Sequence, residues 1–116
     1  VDRVSQDLVT LVSKIQEKSP GIAVLIESVT PMTADSPRAD GSLNNFTIQE
    51  FNEKMKAICQ EKQWYYVNVA EAFRDENGFL KKEYCSDYNS MGMHFTYEGA
   101  KVWVNYLLTH IPARLL

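Results

Sequence analysis

The most restrictive feature of the sequence is a strand candidate, Ile22 to Val29, that is apolar on both faces until Glu27. Its first five residues, Ile22-Ala23-Val24-Leu25-Ile26, leave no polar face for solvent. Both sides of such a strand have to be covered, which is typical of parallel strands inside an α/β sandwich. The run is far shorter than the roughly 20 apolar residues that cross a bilayer, so we expect no membrane span.

Helices are predicted on either side of this strand. Apolar residues recur at helical spacing between Asp2 and Lys18, and Ser19-Pro20-Gly21 ends that helix. A second helix is predicted to begin at a capping box of Thr47 and Glu50 and to run to about Lys62. The first helix should bury one apolar stripe, made of Val4, Leu8, Leu11, Val12 and Ile15.

A second strand is predicted from Trp64 to Val69, where strand-forming residues are concentrated. The order strand, helix, strand implies a right-handed parallel crossover. A last helix is predicted from about Tyr97 to Thr109. The sequence therefore predicts an α/β fold with about two parallel strands and three helices, and we expect residues 1–116 to form a single domain.

Two parallel strands cannot by themselves bury a strand that is apolar on both sides, because each sheet edge would expose unpaired backbone. One interpretation is that the chain contains a further strand that the sequence pattern does not identify. The other is that the chain is the carboxyl-terminal half of a larger α/β domain.

The main functional signal is His94, which follows Met91-Gly92-Met93 and precedes the last helix. Thr96 is a candidate N-cap for that helix, so His94 lies just outside the helix, where its side chain can face a cleft. Histidine has a reference pKa near 6.5, which suits a general base at neutral pH. The alternative at such a position is a hydrogen-bonded structural histidine.

Three short segments resemble the last block of the SGNH hydrolases, also called GDSL esterases: Ser86-Asp87, Gly92-Met93-His94 and Thr96-Tyr97-Glu98-Gly99-Ala100. In that family the block supplies the catalytic histidine, usually within Asp-x-x-His. The resemblance covers nearly the whole chain and implies the carboxyl-terminal part of a three-layer α/β/α, flavodoxin-like fold. It further implies hydrolysis of a small ester or acylated substrate without a metal or organic cofactor. The loops Met32 to Leu43 and Phe79 to Met93 would then shape the acyl pocket.

The catalytic candidates are His94 as general base and Asp87 as its orienting carboxylate. The position three residues before His94, where the family has aspartate, is Met91 here, and Asp87 lies seven residues before the histidine. If residues 88–91 are an insertion, Asp87 can loop back to the imidazole. Otherwise the histidine works in a Ser-His dyad or with another acceptor, and Asp87 forms an Asx-turn or a cap.

The family's nucleophilic serine and oxyanion-hole residues lie upstream of the region that this chain resembles. We interpret Asp40-Gly41-Ser42-Leu43 as a loop turn, because Asp-Gly-Ser turns are common. We therefore expect the isolated chain to be inactive and to need its N-terminal portion, or a second copy, to complete the sheet. The alternative is a non-catalytic α/β interaction module or a self-associating fragment.

Composition excludes several other classes of protein. With 45% hydrophobic and 23% charged residues the chain is globular, and its net charge of -3 with scattered Lys and Arg argues against a nucleic-acid partner. Two cysteines without metal-ligand spacing predict no zinc site. We read Cys59 as a core residue and Cys85 as a free thiol rather than a nucleophile. We expect a soluble protein and favour the cytoplasm slightly over secretion.

Overall fold

The computed structural model describes residues 1–37 and 41–116, so Asp40 of the Asp40-Gly41-Ser42-Leu43 segment lies outside the described residues. In this part of the chain the helices are α1 (Asp2–Lys18), α2 (Asn45–Lys62) and α3 (Tyr97–His110). The strands are β1 (Leu25–Glu27) and β2 (Tyr65–Val67). Short 3-10 turns occupy Val69–Ala72, Lys82–Tyr84 and Ala113–Leu115.

The two strands pair in parallel, as predicted, with α2 between them in sequence. Leu25 lies opposite Tyr65, and Glu27 lies opposite Val67. Both strands are shorter than predicted, at three residues each. The reason is that the pairing extends over only three residue pairs. Val69, predicted as the last residue of the second strand, already belongs to the 3-10 turn Val69–Ala72.

Helices lie on both faces of the strand pair. Ile26 packs with Val12 of α1 and Cys59 of α2 in one core cluster. The next residue, Glu27, points to the opposite face because side chains alternate along a strand, and there its carboxylate accepts a hydrogen bond from Trp103 of α3 at 2.9 Å. This arrangement confirms the predicted α/β fold with two parallel strands and three helices in the part of the chain described.

The start of α2 differs from the prediction. Asn44, not Thr47, is the N-cap: its side-chain oxygen accepts from the Thr47 N–H at 2.9 Å, and the Asn44 N–H donates to the Thr47 hydroxyl at 3.1 Å. The predicted Thr47–Glu50 box is therefore wrong by one turn, because asparagine is among the strongest N-cap residues. At α3 the predicted cap is confirmed, since the Thr96 hydroxyl accepts from the Gly99 N–H.

The apolar stripe of α1 is largely uncovered. Val12 is buried, but Val4, Leu11 and Ile15 are 60%, 56% and 43% exposed. The prediction that these three residues are buried is wrong, because no layer of the described structure packs over that side of the helix. The stripe is consequently an apolar surface.

No helix within residues 1–37 and 41–116 combines the length and apolar content needed to cross a lipid bilayer.

Candidate active site

The candidate site is built on the segment that follows β1, and two asparagines of α2 hold this segment in place. The side-chain oxygen of Asn52 accepts from the Val29 N–H at 2.8 Å, and its amide group donates to the Val29 carbonyl at 2.8 Å. Asn45 binds both backbone groups of Met32 in the same way, at 2.7 and 2.9 Å. The two amide side chains thus satisfy backbone groups that a neighbouring strand would otherwise pair.

The segment after β1 in turn holds the loop that precedes His94. The Thr33 N–H donates to the Gly92 carbonyl at 2.8 Å. The Ser36 hydroxyl donates to the Met91 carbonyl at 2.6 Å. These two hydrogen bonds place the loop before His94, called the histidine loop below, at the carboxyl ends of the parallel strands. Ligand sites in open α/β sheets usually lie at these ends.

A tight turn brings Asp87 back towards the histidine. The N–H groups of Ser90 and Gly92 both donate to the Asp87 carbonyl, at 2.8 and 2.9 Å. Gly92 has φ +67°, a conformation that favours glycine. A Cβ atom at this position would lie 2.1 Å from the Thr33 hydroxyl oxygen. The turn therefore requires glycine at residue 92 for both reasons.

The carboxylate of Asp87 and the imidazole of His94 are in direct contact. Oδ2 of Asp87 lies 2.6 Å from Nδ1 of His94. Oδ1 accepts three further hydrogen bonds, from the N–H groups of His94 (2.9 Å) and Met93 (3.0 Å) and from Sγ of Cys85 (3.2 Å). The carboxylate side chain is 18% exposed, whereas the imidazole side chain is 64% exposed.

These contacts keep Asp87 ionised. The hydrogen bond from the His94 side chain, followed by that from the His94 backbone N–H, holds the pKa of the Asp87 carboxyl well below its usual range, although partial burial opposes the shift. An ionised carboxylate at Nδ1 favours the tautomer with a proton on Nδ1 and a lone pair on Nε2. In residues 1–37 and 41–116 Nε2 has no hydrogen-bond partner. In the neutral imidazole, Nε2 is thus free to accept a proton.

The structure brings together the two residues that the sequence singled out. Residues 88–91 form the turn that lets Asp87 reach the imidazole, and Met91 contributes only its backbone carbonyl to the nearby loop contact. The same carboxylate also caps the amides of Met93 and His94, as the alternative interpretation expected. The catalytic role of the pair stays a prediction.

Two serine hydroxyls near this pair in the described part of the chain bond to backbone carbonyls and not to His94. The Ser90 hydroxyl donates to the Asp87 backbone carbonyl, and the Ser36 hydroxyl donates to Met91. No hydroxyl of the described residues bonds to the imidazole of His94. In the same ranges no three His, Cys, Asp or Glu side chains come close enough together to hold a metal ion.

Two shallow cavities adjoin the loops near the site, and His94 lines neither of them. The first, of about 340 Å³, is lined by residues of both loops that were predicted to shape a pocket, Met32 to Leu43 and Phe79 to Met93. The second, of about 460 Å³, shares three residues with the first, namely Asn45, Phe46 and Phe79.

Sequence reasoning missed the supporting residues Asn45, Asn52 and Cys85. Asn52 is 4% exposed and lies on the buried side of α2 between Ile48 and Met55. An asparagine inside an apolar helical stripe is unfavourable unless it has a partner, so this position carried a usable signal.

Residues 1–102 match the model of the GDSL-like Lipase/Acylhydrolase family. No curated protein sequence matches the chain. A GDSL-like lipase from Bacteroides thetaiotaomicron is 24% identical with a TM-score of 0.77, the match covering 99% of this chain and 53% of the lipase. A protein from Streptococcus pneumonia, provisionally named as a platelet activating factor, is 21% identical with a TM-score of 0.82 and coverages of 96% and 51%.

The esterase domain of the zebrafish ZfL2-1 retrotransposon ORF1 protein is 15% identical with a TM-score of 0.71, at 99% coverage of this chain and 60% of that domain. At these identities the solved structures establish the fold. The chain spans little more than half the length of each. On the family match over residues 1–102, the chain belongs to the GDSL-like lipase/acylhydrolase family.

Proposed function

We propose that this chain is the carboxyl-terminal part of an acylhydrolase that cleaves carboxylic esters, with His94 as general base and Asp87 as the carboxylate that orients it. The observation that carries the proposal is the 2.6 Å contact between Asp87 Oδ2 and His94 Nδ1, next to an exposed imidazole. Family membership supports an ester or acylated substrate.

In this mechanism Nε2 of His94 takes the proton from a serine hydroxyl as the serine oxygen attacks the ester carbonyl carbon. The imidazolium then gives that proton to the departing alcohol as the carbon–oxygen bond of the ester breaks. Water hydrolyses the acyl-enzyme by the same proton transfers in reverse. Asp87 stays ionised throughout and stabilises the imidazolium, a role that its lowered pKa supports.

The nucleophilic serine and the oxyanion donors belong, in this proposal, to a portion of the domain outside residues 1–116. The uncovered stripe of α1 (Val4, Leu11 and Ile15) supports an additional layer on that side. The related structures also support an additional layer, because this chain spans only about half the length of each. The isolated chain would then have a base without a nucleophile and would be inactive.

The proposal is tested by labelling with a fluorophosphonate, which reacts preferentially with activated serine hydroxyls. The full-length protein, meaning this chain with its missing portion, is expected to be labelled at a serine outside residues 1–116. His94→Ala should abolish the labelling, and His110→Ala serves as the matched control because His110 lies at the far end of α3. Full labelling of the His94→Ala variant would refute the proposal.

The uncovered apolar residues of α1 also favour a second candidate, a non-catalytic module that associates with another copy of itself. Sedimentation of the isolated chain tests this candidate. A stable dimer, together with a full-length protein that no fluorophosphonate labels, would favour it over the hydrolase.

A further inference from the structure

We propose that Cys85 is a positioning residue: its thiol holds the Asp87 carboxylate in the orientation that presents Oδ2 to His94. The inference rests on the proposed function, because it concerns the same pair of residues. It assigns a role to a buried thiol that the proposed reaction does not otherwise use.

The thiol is fixed in place and directed at the carboxylate. Sγ of Cys85 lies 3.2 Å from Oδ1 of Asp87, and the residue is only 3% exposed. Its side chain belongs to a core cluster with Val69, Phe73 and Leu80. Its backbone forms an antiparallel bridge with Phe95. The sulfur therefore cannot move away from Asp87 without disturbing the core.

Cys85 differs from the other donors to Asp87 in where it is anchored. The remaining hydrogen bonds to the Asp87 carboxylate come from the backbone N–H groups of Met93 and His94 and from the imidazole itself. Those groups belong to two adjacent residues of the histidine loop. Among the described residues that donate to the carboxylate, the thiol is the one whose side chain is packed in the core cluster. Its hydrogen bond therefore fixes Asp87 and His94 relative to the rest of the fold.

The charge state of the thiol suits this role. Burial is the main cause that raises the pKa of the Cys85 thiol; the backbone N–H groups of Asp87 and His94 oppose this rise, and the Asp87 carboxylate adds to it. The protonated thiol donates to Oδ1, whereas a thiolate would repel the carboxylate. The titratable groups around the sulfur are Asp87, His94 and, within the core cluster, Tyr84. A protonated, buried thiol is also a poor nucleophile, which supports the reading of Cys85 as a non-nucleophilic cysteine.

Removing this donor should affect the chemistry more than substrate binding. Without the thiol, Oδ1 loses one hydrogen bond and the carboxylate becomes more basic, so it stabilises the imidazolium more strongly. The acid-side midpoint of the kcat/KM profile should then move to higher pH. Misorientation of the imidazole should lower kcat while KM stays close to its original value.

The test uses the full-length protein, a short-chain aryl ester and three variants: Cys85→Ala, Cys85→Ser and Cys59→Ala. Cys59 is the matched control, since it is a cysteine 1% exposed in the other core cluster with Val12 and Trp64. For Cys85→Ala we expect kcat to fall roughly 3- to 10-fold and the acid-side midpoint to rise by a few tenths of a pH unit. Cys85→Ser retains a donor and should restore both values, and Cys59→Ala should move neither the midpoint nor kcat.

A Cys85→Ala variant with unchanged kcat and midpoint would overturn the inference. So would a Cys85→Ser variant as impaired as Cys85→Ala, since the effect would then be one of packing. If Cys85→Ala does not fold, Cys85→Ser decides: a midpoint at or below that of the wild type supports the role, and a higher midpoint refutes it. His94→Ala separates the two proposals, because activity that survives it refutes the proposed function itself.

Discussion

Asp87 and His94 are seven residues apart in the chain, yet Oδ2 of one lies 2.6 Å from Nδ1 of the other. The turn over residues 88–91 makes this contact possible, with the Ser90 and Gly92 N–H groups bound to the Asp87 carbonyl. A spacing of seven residues, longer than the three of Asp-x-x-His, thus also produces a direct carboxylate–imidazole pair.

The first prediction concerns the charge of Asp87. Asp87→Asn keeps the size of the side chain but removes the carboxylate that selects the imidazole tautomer. In the full-length protein kcat for an aryl ester should fall about 10²- to 10⁴-fold, with a smaller change in KM. Circular dichroism and thermal unfolding check that the variant is folded. A folded Asp87→Asn variant with wild-type kcat would show that the carboxylate does not orient the base.

A second prediction follows from the lowered pKa of Asp87. A carboxyl group whose folded-state pKa lies below its unfolded value of about 4 stabilises the fold above that pH and loses this contribution as the pH falls through the folded-state pKa. The free energy of unfolding of the wild type, minus that of Asp87→Asn, should therefore shrink as the pH is lowered from 6 to 2. Urea unfolding across this range measures the difference, and a difference independent of pH would contradict the assignment.

The third prediction is that Gly92 is required sterically. Gly92→Ala combines a positive φ with a contact of 2.1 Å between Cβ and the Thr33 hydroxyl oxygen, and should cost about 2–4 kcal/mol in the free energy of unfolding. Gly78→Ala is the matched control, because Gly78 has φ +85° and nothing within 4 Å of the added Cβ. Its cost should be about 1 kcal/mol.

Thr33→Ala provides the complementary test, since it removes the atom that the new Cβ would meet. In the described residues the buried Thr33 hydroxyl has no hydrogen-bond partner, so its loss breaks no hydrogen bond there. The Gly92→Ala, Thr33→Ala double variant should recover part of the stability lost in Gly92→Ala. Strict additivity of the two single costs would rule out the steric explanation.

The fourth prediction concerns the side-chain clamp at Val29. Asn52→Leu fills a similar volume but leaves the N–H and C=O of Val29 without the amide partners they now have. Stability should fall by about 2–4 kcal/mol. Asn105→Leu, on the exposed side of α3, is the control and should change stability by less than about 0.5 kcal/mol. Denaturant unfolding gives both values, and equal effects would mean that the clamp contributes nothing specific.

The regular elements could be predicted because their signals are local. Helical periodicity and the Ser19-Pro20-Gly21 stop place α1 at Asp2–Lys18, as observed. Thr96 was identifiable as a cap because capping depends on neighbouring residues. The burial of Val4 was predicted wrongly, since periodicity shows which face is apolar but not whether another layer covers it.

The site was predictable only in part. The block around His94 indicated a candidate base. Whether Asp87 reaches that histidine depends on how the intervening turn closes, and the turn contacts Thr33, more than fifty residues away in sequence. The hydrogen bond from Cys85 to Asp87 is likewise set by packing of the core. Contacts of this kind leave little trace in spacing or composition.

The central claim is that His94 is the base of an ester-hydrolysing site, and the most direct test is the kcat/KM of the full-length protein for a short-chain aryl ester. His94→Ala should reduce it at least about 10³-fold, whereas His110→Ala should leave it within about twofold of the wild type. A folded His94→Ala variant that hydrolyses the ester as fast as the wild type would contradict the account.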